Sequence, residues 1–81
     1  MPKLKRKDLK TEKQKHLFDL LTEVAEQKQY FDPETFVYCN ILSMDTEDKQ
    51  DKMIEAIEKD KLHDISKINL LSVYISRGID Y

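Results

Sequence analysis

Ile68-Asn69-Leu70-Leu71-Ser72-Val73-Tyr74-Ile75 is the most apolar run in a chain of 81 residues that is 37% charged. On a helical wheel Ile68, Leu71 and Ile75 share one side, while Leu70, Val73 and Tyr74 spread round the flank and back. A helix apolar over so much of its circumference has no side to give to water, so the run predicts a terminal helix wrapped by its neighbours. The competing reading is a strand over 70–75, with the β-branched and aromatic stretch 35–41 as its only available partner. An isolated strand leaves backbone groups unpaired, and the helix is preferred. Arg77 in its last turn and Gly78 just beyond mark where it ends.

Three more helices lead to it. Thr11 caps the first, which carries the apolar stripe Leu17, Leu20, Leu21 and Val24, with Phe18 and Ala25 beside it, and runs over 11–29. Asp32-Pro33-Glu34 starts the second, over 33–44, with Phe31 and Val37 spaced as a hydrophobic staple. Asp45 or Thr46 caps the third, over 46–60, on which Met53, Ile54, Ala56 and Ile57 form a narrow seam. A bend at 61–64 then leads to the final helix, over 64–77, capped by Asp64 or Ser66. One glycine and two prolines cannot furnish the turns of an all-β fold. The expectation is an all-α bundle of four helices forming one domain over 11–81, preceded by a basic arm over 1–10 that is disordered or loosely attached.

Charge is segregated along the chain. Residues 1–15 carry seven basic side chains against Asp8 and Glu12, a net +5, in a chain whose total is −2. The segment Asp45–Asp64 is acidic, with eight carboxylates against four lysines. Its opening does not read as a calcium loop: with Asp45 first, Gln50 stands where the glycine belongs and Ala56 where the bidentate glutamate belongs.

The chemistry of catalysis is thin. Gly78 is the only glycine, so no phosphate-cradling loop exists, and His16, Cys39 and His63 lack metal-ligand spacing. Cys39 with either histidine is the only nucleophile–base pair to consider, and its place in an apolar run reads instead as a reduced core thiol. A bundle this small leaves little room for a substrate pocket of several hundred Å³. No enzyme, cofactor, metal or small-molecule substrate is expected, and no run reaches the ~20 apolar residues that span a bilayer. Neither a secretory signal nor paired cysteines occur, which points to the cytoplasm.

Two functions of different class follow. The first is a protein–protein interaction module, a regulator, adaptor or inhibitor whose partner is another protein or a second copy of the chain. Its contact residues are Tyr38, Leu42, Leu70, Val73 and Tyr74, apolar groups that a bundle of this size does not fully cover. The second is non-specific nucleic-acid binding through residues 1–15, with Lys3, Lys5, Arg6, Lys7 and Lys10 on phosphates. An anionic membrane surface would attract the same arm. In a charged variant of the first reading, the acidic segment docks on a basic surface.

Overall fold

The Thr11 hydroxyl accepts a hydrogen bond from the backbone N–H of Gln14 at 3.1 Å, and α1 (Glu12–Gln27) starts there as its sequence predicts. The computed structural model describes residues 4–59 and 64–79. The other helices are α2 (Pro33–Ser43), α3 (Glu47–Lys59) and α4 (Ile65–Arg77). Asp32 caps α2 by accepting from Thr35 N–H, Thr46 caps α3 through Lys49 N–H, and Asp64 caps α4 through both Ser66 and Lys67 N–H. Each side-chain oxygen satisfies donors that the first helical turn leaves without a partner.

The described residues contain four α-helices and no strand, so 35–41 and 70–75 are both helical. Gly78, at φ +72°, ends α4, with Gly78 N–H bonding Ile75 C=O and Ile79 N–H bonding Tyr74 C=O. The same double closure ends α1, where Gln29 takes the left-handed conformation at φ +51°. Because glutamine carries no signal for that backbone, the helix stops at Gln27, two residues before its predicted end. The bend at 61–64, except Asp64, lies outside the described residues, as does Lys3.

α1 packs against α2 and α3, and α4 closes the ring by packing against the same two. The core they enclose is built from Leu17, Leu21, Val24, Phe36, Ile41, Met44, Met53, Ile57, Ile68 and Ile75, with Ala25 and Ala56 buried among them. Gln50 on α3 is buried, because its amide donates to Met44 C=O at 2.9 Å and closes the link between α2 and α3.

Three expectations need correction. α4 is not wrapped: Ile68, Leu71, Ser72 and Ile75 face the core, but Leu70 is 53% and Val73 42% exposed. With only α2 and α3 against it, its far side has no neighbour. Cys39 is not a core thiol but lies exposed on α2. The pairing of Phe31 with Val37 does not form, since Phe31 is 87% exposed and its ring meets Tyr30 at 4.6 Å, while Tyr30 sits edge-on to Phe36.

Residues 4–10 of the arm are attached to the body. They make a single 3-10 turn at Arg6–Asp8, Leu9 is buried in the core, and Leu4 packs against it. Arg6 Nε donates to both Asp19 carboxylate oxygens at 3.0 and 3.2 Å and so ties the turn to α1. Leu9→Ala is expected to lower stability by about 2 kcal/mol, the low end for a buried leucine because the cavity opens near the surface. A urea titration reads this directly, and an unchanged midpoint would show that the arm adds nothing to the fold.

Candidate functional site

The ring of helices has two unlike sides. Along the seam of α1 and α3, polar side chains answer one another: Lys13 Nζ lies 2.8 Å from Asp51 and His16 Nε2 2.9 Å from Glu58. The hydrogen bond that Lys13 donates to Asp51 raises the Lys13 pKa above its ordinary value, against a smaller opposing effect of desolvation. The stability this pair contributes is complete below the ordinary lysine pKa and is lost as pH rises through the raised one. Asp45 is held below the usual carboxylate range by its hydrogen bond to Lys49, and its contribution is lost as pH falls through that lowered value. These pairs are exposed, and salt screens them.

The side formed by α2 and α4 is different. Residues 35–44 contain no charged group, and residues 65–79 contain no acid. The two helices meet where Asn40 Nδ2 donates to Asn69 Oδ1 at 3.1 Å and to Phe36 C=O at 2.8 Å. Between them lies a notch of about 200 Å³ lined by Cys39, Asn40, Ser43, Asn69, Ser72 and Val73. Two oxygens buried there, Asn40 Oδ1 and Ser72 Oγ, have no hydrogen-bond partner. Leaving such a group unpaired costs about 1–3 kcal/mol.

Of the apolar side chains expected at an interface, Val73 alone lines this notch. Leu42 (57% exposed), Leu70 and Val73 stand in water, and Tyr38 and Tyr74 are half-buried. Asn40, Ser72 and Cys39 were not among the expected site residues. Their shared position depends on how the two helices cross, which no spacing along one helix encodes.

The basic arm is partly spent on the protein itself. Arg6 pairs with Asp19, Lys13 with Asp51 and Lys15 with Glu12, while Lys5, Lys7 and Lys10 make no ion pair among the described residues. Three cations on the described part of the arm give a phosphate backbone less to hold than the seven of the sequence.

A second cleft, of about 500 Å³, runs between the arm, α1 and the start of α2, with Leu4, Phe18 and Val37 among its walls. It is larger than so small a bundle was expected to hold. Its lining residues include no cysteine or histidine and no buried polar atom without a partner. His16 is engaged by Glu58, no hydrogen bond joins Cys39 to an imidazole among the described residues, and His63 lies outside them. Among the described residues no three His, Cys, Asp or Glu groups gather as a metal ion would require, and no helix is long and apolar enough to cross a membrane.

No family model, curated protein or solved structure matches this chain. The geometry of its own surface is therefore what bears on its function.

Proposed function

We propose that this protein is a small non-enzymatic interaction module that works by docking its α2–α4 side on another macromolecule, in a reducing compartment such as the cytoplasm. One observation carries the reading. In a chain that is 37% charged, Leu42, Leu70 and Val73 stand exposed on the one side whose helices are almost free of charge. Scattered apolar residues are ordinary on a protein surface, but several apolar groups exposed on two neighbouring helices with few charges are the anatomy of an interface core. The half-buried Tyr38 and Tyr74 add aromatic area at its edge, the residue type favoured at such sites.

The test is a double variant, Leu42→Asp with Leu70→Asp. Both side chains are exposed, so helicity and melting temperature are expected to stay close to wild type. Truncating one central contact typically costs more than about 1 kcal/mol of binding, so two buried carboxylates in its place are expected to weaken association at least about 100-fold. Quantitative co-purification from the source cell reads the result. Partners recovered equally by the folded double variant and the wild type would end this reading.

A further inference from the structure

We propose that the α2–α4 face receives an amphipathic helix from a partner, with an apolar stripe that is acidic at both ends, opposite Lys67 and Arg77. The inference rests on the reading of this face as a docking surface and adds the chemistry of what docks. On α4 the outward residues Lys67, Leu70, Val73, Tyr74 and Arg77 follow at three- and four-residue spacing, a ridge that is cationic at its ends and apolar between. Tyr38 and Leu42 follow at four-residue spacing on α2, and Cys39 and Val73 line the notch between the two helices. Parallel ridges flanking a shallow trough are the shape a helix occupies.

Charge selects among occupants. Lys67 and Arg77 stand ten residues apart, about 15 Å along the helix axis, and neither makes an ion pair among the described residues. Residues 65–79 contain no acid; the nearest carboxylate in sequence to Lys67 is the N-cap Asp64, which bonds its backbone N–H and not its ammonium group. A second copy answers them no better. It would bring two more cations to the interface and, from residues 35–44 and 65–79, no acid. A partner helix with Asp or Glu about ten residues apart meets both cations at once, and its apolar stripe covers Leu42, Leu70 and Val73.

Three fluorescent peptides with the same leucine stripe, each about fourteen residues long, test this on the full chain by anisotropy. One carries glutamate at both ends of the stripe, one glutamine and one lysine. The glutamate peptide is expected to bind at least about tenfold more tightly than the lysine peptide, with the difference shrinking at high salt. The exposed pair Lys67→Glu and Arg77→Glu is expected to reverse the order. Equal binding of all three, lost in the Leu42→Asp and Leu70→Asp variant, would overturn the acidic partner and leave the docking face standing. Failure of every peptide to bind a monomeric protein would take down both. A wild-type dimer by light scattering that dissociates in the same aspartate variant would replace the partner helix with a second copy.

Discussion

Leu17→Ala is expected to destabilise the protein by about 2–5 kcal/mol, as large as the effects of leucine truncation in closely packed cores. Leu17 is fully buried on α1, the helix that packs against both α2 and α3. Removing its isobutyl group takes apolar surface out of the core and leaves a cavity that four short helices close only in part. A domain of 81 residues has a total stability of about 4–12 kcal/mol, so the variant is expected to be partly unfolded at room temperature or close to it. Urea denaturation followed by circular dichroism measures the loss, with Leu70→Ala, on the exposed side of α4, as the comparison expected within about 0.5 kcal/mol of wild type. A loss below about 1 kcal/mol for Leu17→Ala would mean that the core collapses around the gap and is less tightly packed than it looks.

Asn40 offers the other large effect, and its sign depends on what replaces it. Asn40→Asp puts a carboxyl in a site only 2% exposed, where the native amide donates to Phe36 C=O and Asn69 Oδ1. The charged form can donate to neither, and no cation is bonded to the native side chain. An uncompensated buried charge costs about 3–5 kcal/mol. Burial raises the folded-state pKa of such a carboxyl above its unfolded value. The variant is therefore most stable below the ordinary carboxylate range and loses stability as pH rises through the raised pKa, the reverse of acid denaturation. Asn40→Leu is expected to be neutral or to stabilise by up to about 1 kcal/mol, because it also removes the unpartnered Oδ1. Asn69 is exposed and can turn its freed carbonyl to water. Denaturant midpoints at pH 5 and pH 8 separate these outcomes. If Asn40→Leu proved as costly as Asn40→Asp, the amide would be a required bridge between α2 and α4.

Most of the architecture could be read from the chain because its helix ends are written in local chemistry. Thr11, Asp32 and Asp64 accept from the first-turn N–H groups that their positions imply, and Gly78 takes the left-handed backbone that ends α4. Local signals stop at the helix surface. α2 is apolar on several sides, so periodicity could not say that Phe36, Val37 and Ile41 turn inward while Leu42 and Cys39 turn out. Nothing in the spacing marks Asn40 or Gln50 as core residues. Each is buried because a backbone carbonyl, of Phe36 or of Met44, lies within reach of its amide, a fact of tertiary geometry. The exposure of Leu42, Leu70 and Val73 could be anticipated from the surplus of apolar residues, but not the notch, which exists only where two helices cross.

Cys39 is the sole thiol of the chain, and it opens on the rim of the α2–α4 notch. A maleimide dye or nitroxide coupled there needs no engineered attachment point and reaches no second site. Its emission, or its spin mobility, would register whatever settles over that rim, turning an accident of composition into a built-in reporter of occupancy.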